Sequence, residues 1–364
     1  MKFFQLLLVA SVGVILVSTR AVEQEGKRLI KTSEEDPGQW MDENEIADLI
    51  RAHKTFIDIT DFDLPAIRPE DVNTKAIPTT IRFQSTVREV LTKLNGQRVE
   101  DFVRQFSSYH NRYYSSQTGR DSQLWLLSEV ESSIQGYAGS ASVEEVDHDY
   151  LQKSIVARLE GADPTLKSEV VIIGAHLDSV NRNGASLQAP GADDNGSGSV
   201  VVLETLREIV ESGLILNRTV EFQWYAAEEI GLRGSQAIAQ EYRRNNVDVV
   251  GMLNLDVLGY YVNGTNDIGV FTDNGNAQMA QFLRILADEY LEFGRRDRTC
   301  GYGCSDHASF TNAGFPAVMA SEVVAHPQMH TVNDNIQNMN FVQVNEFVKL
   351  VVGFTIEMAE PVQA

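Results

Sequence analysis

A histidine and three aspartates follow one apolar run of the sequence. The run VVIIGA leads into His176 and Asp178, and Asp193 and Asp194 follow one loop later, just before a stretch rich in glycine and serine. Because imidazole nitrogens and carboxylate oxygens bind divalent cations, this spacing is compatible with a metal site after a buried strand. A polar surface loop with one exposed histidine explains the same residues equally well.

The same arrangement recurs after other strand-like runs. YAAEE ends one run with Glu228 and Glu229, LNLD ends another with Asp256, and QMHT places His330 after the last run. Ligands of α/β sheets gather outside the carboxyl ends of the strands, where an unpaired charge would be costly to bury. Two imidazoles and several carboxylates that meet at this edge fit two metal ions better than an apolar core.

Regular alternation of helices and strands begins near Thr80 and predicts how these residues are positioned. Apolar residues recur at helical spacing in IRFQSTVREVLTKL, QRVEDFVRQFSSYHNRYY and SQLWLLSEVESSI. Strand-like runs such as SIVARLEG, RTVEFQWYAAEEIG and FPAVMASE alternate with helical patterns along the rest of the chain. This order predicts an α/β fold with three layers, α/β/α, around a mostly parallel central sheet.

Composition narrows the range of partners. The chain has 364 residues, a formal net charge of -21 and 43% hydrophobic residues. Its length suits one large domain with an appendage, and its hydrophobic content is ordinary for a globular protein. Because an acidic surface repels phosphates, the charge argues against nucleic acid and anionic membranes as partners.

The first 20 residues have the pattern of a secretory signal peptide. Lys2 precedes the apolar run FFQLLLVASVGVILV, and small residues follow it. A membrane anchor is the alternative, but the run is short for a bilayer span and polar residues come next. The pattern predicts a secreted, extracellular protein with no membrane contact after signal removal. In that oxidising environment the only two cysteines, Cys300 and Cys304, can form a small-loop disulfide.

Residues 21–79 differ in composition from the residues that follow them. They are acidic, weakly periodic and rich in proline near their end. We interpret them as a removable pro-segment that occludes the following domain or assists its folding. A loose N-terminal extension is the alternative. The predicted organisation is a signal peptide over residues 1–20, a pro-segment over 21–79 and one large domain over 80–364.

Several motifs of the large domain resemble those of a known enzyme family. GAHLDS, APGADDNGSG, YAAEEIGLRGS, LNLD, TCGYGCSDHASF and MHT occur in the order found in the di-zinc aminopeptidases of metallopeptidase family twenty-eight, and are most similar to secreted bacterial and fungal leucyl aminopeptidases. The resemblance covers roughly residues 80–364. It implies a zinc-exopeptidase fold, two Zn²⁺ per chain and hydrolysis of the N-terminal peptide bond of peptides or proteins. We expect a monomer.

The resemblance also implies a ligand set for the two zinc ions. Asp194 would bridge both ions. His176 and Asp256 would complete the ligands of one ion, and Glu229 and His330 those of the other. Each zinc would then have three protein ligands and share a bridging water, with room left for substrate.

Other residues receive catalytic and binding roles from the same resemblance. Glu228 would be the general base that takes a proton from the metal-activated water and returns it to the leaving amine. Asp178 would accept the free ring N–H of His176 and fix its tautomer. The Tyr302 hydroxyl would stabilise the tetrahedral intermediate, although an aromatic ring that packs on its own loop is the alternative. A pocket that prefers Leu or another large apolar first residue would be lined by Val257, Phe271, Met319, Cys300 and Cys304.

Neighbouring residues are predicted to have structural roles. Asp193 is interpreted as a residue that supports the ligands or the local structure and not as a ligand, and Asn195 stands where close relatives often have a third acid. Since asparagine keeps one acceptor oxygen and the size of the side chain, activity is expected to survive this difference.

N-glycosylation is predicted at Asn217 and Asn263, whereas the acceptor motif at Asn195 adjoins the metal loop. Five histidines outside the ligand set are interpreted as structural or surface residues: His53, His110, His148, His307 and His326.

Three other functions are alternatives to an aminopeptidase. A single-zinc glutaminyl cyclase of similar fold would be favoured by a zinc content near one per chain. A catalytically inactive binding domain would be expected to lack ligands or the base, and this chain retains both. A carboxypeptidase would need a cation for the substrate carboxylate, and no arginine stands out near the motifs.

Overall fold

The computed structural model describes residues 26–64, 72–260, 262 and 267–362. The strands are β1 (Arg28–Lys31), β2 (Gln39–Met41), β3 (Ile57–Asp58), β4 (Ala141–Val146), β5 (Ser154–Leu159), β6 (Glu169–His176), β7 (Thr219–Tyr225), β8 (Asp248–Leu255), β9 (Asp267–Phe271), β10 (Gly294–Arg298) and β11 (Ala317–Glu322). The helices are α1 (Glu43–Arg51), α2 (Gln84–Leu91), α3 (Gly96–Phe106), α4 (Gln117–Ser133), α5 (Gly196–Glu211), α6 (Arg233–Arg244), α7 (Ala277–Tyr290), α8 (His307–Asn312) and α9 (Phe341–Ala359). The predicted signal peptide and Asn263 lie outside the described residues.

Strands β4 to β11 form one mixed sheet in the order β10-β9-β11-β8-β6-β7-β5-β4. At its centre β8, β6 and β7 run parallel to one another, and β11 is parallel to β8. Strand β10 is parallel to β9, whereas β9 is antiparallel to β11, and β5 is antiparallel to both β7 and β4. The parallel centre therefore places the carboxyl ends of β6, β7 and β8 at one edge of the sheet.

Helices cover both faces of this sheet. Val171 and Ile173 of β6 pack with residues of α5, α7 and α9, and the alternate residues Val170 and Ile172 pack with residues of α6 and α8. A strand that is covered on both sides must be apolar on both sides, which explains the continuous run of β-branched residues in β6. The predicted three-layer α/β/α fold is confirmed.

One predicted helix is shorter than its sequence pattern. Helical spacing extends over QRVEDFVRQFSSYHNRYY, but α3 ends at Phe106. The residues that follow form a loop, because Arg112 turns inward and its guanidinium donates to the main-chain carbonyls of Leu177 and Gly191. These long-range hydrogen bonds outweigh the local helical preference.

Residues 26–64 form a small folded unit. Strands β1, β2 and β3 make an antiparallel sheet in the order β2-β1-β3, and α1 begins at a capping box formed by Asp42 and Glu45. From α1, Ile46 and Ile50 pack with Ile230 of the large domain. Residues 26–64 are therefore folded against the large domain and not loose. Sequence periodicity missed this unit because its strands have only 4, 3 and 2 residues.

Among the described residues, no helix combines the length and the apolar character that a membrane span requires.

Candidate metal centre

The predicted metal ligands meet at the carboxyl edge of the parallel strands. His176 is the last residue of β6, Asp256 directly follows β8, and Glu229 lies in the turn after β7. Asp194 comes from the loop between β6 and α5, and His330 from the segment after β11. Five separate segments thus each contribute one side chain to the same place.

These five side chains form two groups of three that share Asp194. In the first group, Nε2 of His176 lies 3.2 Å from Asp194 Oδ1 and 3.2 Å from Asp256 Oδ1. In the second group, Nε2 of His330 lies 3.0 Å from Asp194 Oδ2 and 2.9 Å from Glu229 Oε2. Within each group, the three candidate ligand atoms lie within 4.8 Å of one another. One carboxylate oxygen of Asp194 therefore faces each group.

The electrostatics of the centre fit bound cations. Burial opposes a charge on either imidazole, but the facing carboxylates outweigh burial and raise the pKa of His176 and of His330 well above the usual value. Burial raises the pKa of Glu229 to about 7. Glu229 Oε1 is buried without a hydrogen-bond partner in the described part of the chain. Metal ions at these atoms would take the place of the imidazole protons and neutralise the carboxylates, so the donor set fits them.

Asp178 connects His176 to the turn after β7. Its Oδ1 lies 3.5 Å from Nδ1 of His176 and accepts the backbone N–H of Glu228 at 3.0 Å. Its Oδ2 accepts the backbone N–H of Glu229 at 3.2 Å. Glu228 lines the same cavity as the candidate ligands, and burial raises its pKa well above the ordinary value. The sequence prediction did not include the contacts from Asp178 to these two backbone amides.

Three non-glycine residues at this centre have a left-handed backbone. The φ angles are 59° for Ala227, 47° for Val257 and 58° for His330. This conformation is uncommon outside glycine, and for a β-branched residue such as Val257 it is a true outlier. Strained residues of this kind cluster at functional sites, where the surrounding structure holds them. Their positions support this edge of the sheet as the functional site.

Arg112 holds the loop that carries Asp194. Its guanidinium is completely buried and donates to the carbonyls of Leu177 at 2.9 Å, of Pro190, and of Gly191 at 2.8 Å. Gly191 has a φ of 53°, and a Cβ there would lie 2.4 Å from the Asp194 carbonyl oxygen. Burial lowers the pKa of Arg112 to about 10, so the group stays charged at neutral pH. No signal in the sequence indicated Arg112, because its acceptors lie far along the chain.

Asp334 fixes the backbone of the two adjacent aspartates. Its Oδ1 accepts the N–H of Asp193 at 2.8 Å, and its Oδ2 accepts the N–H of Asp194 at 3.0 Å. Asp334 follows His330 closely in MHTVND, so its carboxylate ties the shared ligand to the segment that carries His330. The acid was visible beside the MHT motif, but its role depends on backbone contacts that a sequence does not display.

Replacement of Asp334 by asparagine is expected to weaken zinc binding. The amide has one acceptor oxygen, so only one of the two backbone N–H groups keeps its partner. Loss of a group that orients a ligand typically lowers metal affinity by about 10- to 100-fold. The zinc affinity can be measured by competition with a chelator. Asp121→Asn, at an exposed carboxylate of α4, is the matched control, and equal affinities of the two variants would contradict the role of Asp334.

Apolar side chains line the cavity beside the metal centre. Val257, Phe271 and Met319 are buried in its wall. Cys300 and Cys304 line the same cavity and form a disulfide, as the sequence allowed. The structure therefore brings all five predicted pocket residues to the cavity that four of the five candidate ligands line.

Tyr302 is the predicted site residue that the structure places elsewhere. It is not among the described residues that line the cavity. Its ring packs against the buried cluster of Ile57, Leu232 and Ala308, and the Lys31 ammonium lies 5.7 Å from the ring centre. Burial raises the pKa of Tyr302 to about 12. In this conformation the aromatic ring lies between the N-terminal unit and the large domain.

Several remaining residues have clear structural contacts. Asn195 begins α5: its Oδ1 accepts the Gly198 N–H at 2.8 Å, and its Nδ2 donates to the Leu255 carbonyl at 2.8 Å, which a carboxylate could not do. His326 is buried and stacks on Tyr260 with ring centres 4.6 Å apart. The predicted glycosylation site Asn217 is half-buried.

Two histidine–carboxylate groups that share an aspartate at the carboxyl edge of an α/β sheet are typical of metal-dependent hydrolases. Residues 154–355 match Peptidase family M28. The chain belongs to this family and is a metallo-aminopeptidase, which confirms the predicted family and the predicted class of enzyme.

Individual relatives and solved structures agree with this assignment. The chain is 38% identical to the probable leucine aminopeptidase 1 of Trichophyton verrucosum (strain HKI 0517), over 89% of this chain and 91% of that protein. It is 36% identical to the leucine aminopeptidase 1 of Arthroderma otae (strain ATCC MYA-4605 / CBS 113480), over 99% and 100%. The LapA aminopeptidase of Legionella pneumophila has a TM-score of 0.80 and 27% identity, and the match covers 92% of this chain and 95% of that chain. A glutaminyl cyclase of Fimbriiglobus ruber shares only the fold, with a TM-score of 0.58, 16% identity and coverage of 73% and 96%.

Proposed function

We propose that the chain is a secreted aminopeptidase that binds two zinc ions and removes Leu or another large apolar residue from the N-terminus of peptides. The observation that carries this proposal is the position of Asp194, whose two carboxylate oxygens each face a different histidine–carboxylate group. Such a shared carboxylate suits two neighbouring cations better than one.

The residues of the chain would divide the chemistry as follows. His176, Asp194 and Asp256 would hold one ion, and Asp194, Glu229 and His330 the other. When bound, the two ions supply Lewis acidity that polarises the scissile carbonyl and lowers the pKa of water.

Glu228 would take a proton from the attacking water and return it to the leaving amine. Burial raises the pKa of Glu228, which makes its carboxylate a stronger base for accepting that proton. Asp178 accepts the backbone N–H of Glu228 and so keeps this turn in place. Val257, Phe271 and Met319 would receive the first side chain of the substrate, because they form an apolar wall beside the ligands.

Metal content and substrate range test the proposal together. The purified protein is expected to contain about two zinc ions per chain and to hydrolyse leucyl-p-nitroanilide faster than the alanyl, glutamyl and lysyl analogues. About one zinc ion per chain, with cyclisation of an N-terminal glutamine and no release of p-nitroaniline, would support a glutaminyl cyclase instead.

We also propose that Tyr302 contributes to the reaction as an oxyanion donor once the N-terminal unit has left. Its ring packs against a cluster that includes Ile57 of that unit, so this part of the packing is lost on removal. The same proposal includes glycosylation of Asn217 and Asn263, secretion after signal cleavage and a monomeric state. Mass spectrometry and N-terminal sequencing of the secreted protein test these features.

Residues 21–79 are proposed to act as a pro-segment that occludes the metal centre. Ile50, His53 and Phe56 line the cavity that contains the candidate ligands, and the His53 ring stacks on the His330 ring with centres 5.9 Å apart. The Asp58 N–H donates to the carbonyl of Gly231 at 3.1 Å, which fastens β3 beside the turn that carries the general base. These contacts support the proposal that the end of α1 and the residues before β3 cover the substrate entrance.

Proteolytic removal of residues 21–79 from the folded protein is expected to raise kcat/KM for leucyl-p-nitroanilide by about tenfold or more. The reason is that activity scales with the fraction of molecules in the open, binding-competent state. Added back as a separate peptide, residues 21–79 should inhibit the processed enzyme. A fall in activity on removal, or no inhibition by the peptide, would count against occlusion.

A further inference from the structure

Cys300, Cys304 and His307 form a compact cluster in and behind the cavity wall. Both sulfur atoms and one ring nitrogen of His307 lie within 4.8 Å of one another. His307 is completely buried, and neither of its ring nitrogens has a hydrogen-bond partner in the described ranges. Burial of an imidazole without hydrogen-bond partners costs free energy, and this imidazole lies beside two sulfur atoms.

The chemistry of His307 suits a metal ligand. Burial lowers the pKa of its imidazole to about 4, so the ring is neutral at physiological pH and has a free lone pair. Metal ligands must be deprotonated before they bind. His307 is the first residue of α8, and the packing of Phe310 in the core beneath this short helix fixes its position.

A carboxylate stands beside the same cluster. Asp273 Oδ1 and Oδ2 accept the backbone N–H of Cys300 at 3.2 and 3.1 Å, and Oδ2 also accepts the N–H of Gly301 at 2.9 Å. The Cys300 sulfur lies 3.9 Å from Asp273 Oδ1. The Asp273 carboxylate thus lies beside one of the two sulfurs of the cluster.

We propose that the reduced chain binds a further zinc ion through Cys300, Cys304 and His307, with Asp273 adjacent as a fourth donor. Two thiolates and one imidazole, completed by a carboxylate or water, are a common zinc ligand set. A dithiol opens the site by breaking the S–S bond: it donates two electrons and two protons, the cysteines become thiols, and the dithiol closes to its own disulfide. Zinc binding then releases both thiol protons to solvent.

This site is independent of the proposed di-zinc centre. None of the five candidate ligands of that centre is a thiolate, and the cysteine cluster uses none of those five side chains. Because the same two sulfurs form the disulfide, oxidation and metal binding exclude each other. A newly made, reduced chain therefore holds zinc at this loop until oxidation closes it, and the bound metal protects the thiols until then.

Cobalt is the probe for this site, because only a thiolate ligand gives an intense thiolate-to-cobalt charge-transfer band in the near ultraviolet. The full protein is reduced with dithiothreitol, freed of reductant under argon and titrated with Co²⁺. Reduced wild type is expected to bind one more cobalt per chain than oxidised wild type, and to show the band. The oxidised protein and the Cys300→Ser/Cys304→Ser double variant should lack the band, whatever happens at the di-metal centre.

The role of His307 is tested by a variant and by an independent measurement. His307→Asn is expected to weaken cobalt binding at the thiolate site by at least tenfold. In reduced wild type, Zn²⁺ is expected to slow the reaction of the thiols with a disulfide reagent by at least tenfold, a test that does not require the variant to fold. Absence of the band in reduced wild type, an unchanged cobalt affinity in His307→Asn, or thiols that react equally fast with and without Zn²⁺ would each overturn the proposal.

Discussion

Replacement of Glu228 by glutamine is expected to lower kcat for leucyl-p-nitroanilide by about 100- to 10,000-fold, the usual contribution of a positioned general base. Glutamine keeps the size of the side chain but cannot accept the proton. The backbone N–H of residue 228 still donates to Asp178, so the turn after β7 is preserved. Zinc content, measured on the same preparation, should stay near that of the wild type.

The adjacent residue provides a matched control for this variant. Glu229→Gln changes a candidate ligand, since Oε2 of Glu229 lies 2.9 Å from the His330 imidazole. It is therefore expected to lose zinc as well as activity, whereas Glu228→Gln loses activity alone. If Glu228→Gln retained wild-type turnover, or lost zinc to the same extent as Glu229→Gln, the assignment of the base would be wrong.

Replacement of Asp194 by asparagine is expected to weaken zinc binding at both positions. Each of the two carboxylate oxygens faces a different imidazole, at 3.2 and 3.0 Å, and an amide offers only one neutral oxygen. Because loss of an outer orienting group already costs about 10- to 100-fold in metal affinity, loss of the shared ligand should cost more than about 100-fold. The zinc content after dialysis against a weak chelator should fall well below one per chain.

Asp193→Asn is the control for this second prediction. Asp193 precedes the shared ligand, but its Oδ1 accepts the Gly259 N–H at 2.7 Å, an acceptor role that asparagine can keep. Its zinc content should therefore remain close to that of the wild type. Loss of only one zinc ion from Asp194→Asn would show that a single site depends on this residue. That result would contradict the proposal that both ions share Asp194.

Residues whose signal is local could be predicted from the sequence. An apolar run that ends in histidine or an acid marks both a buried strand and its polar end, which identified His176 at the end of β6 and Asp256 after β8. The run of β-branched residues in β6 likewise indicated a strand that is covered on both faces. The family resemblance then distinguished Asp194 from Asp193, a choice that spacing alone did not make.

Residues that act through long-range contacts could not be predicted in the same way. Arg112 lies in a stretch with helical spacing, and only the fold shows that it donates to backbone carbonyls near Asp194. Asp334 is an ordinary acid in the sequence until its two oxygens meet two backbone amides. The position of Tyr302 depends on the packing of a separate segment, which the CGYGC motif does not encode.

The attachment of β3 to the large domain affects how an inhibited precursor would become active. A single nick between Leu64 and Thr80 would cut the chain but leave the Asp58–Gly231 hydrogen bond and the contacts of Ile46 and Ile50 in place. The cleaved N-terminal fragment would then remain bound to the large domain without a covalent link. If residues 21–79 inhibit the enzyme as proposed, activation would require the fragment to dissociate or be digested. The lifetime of the bound fragment after the first cut, and not the cut itself, would then set the rate of activation.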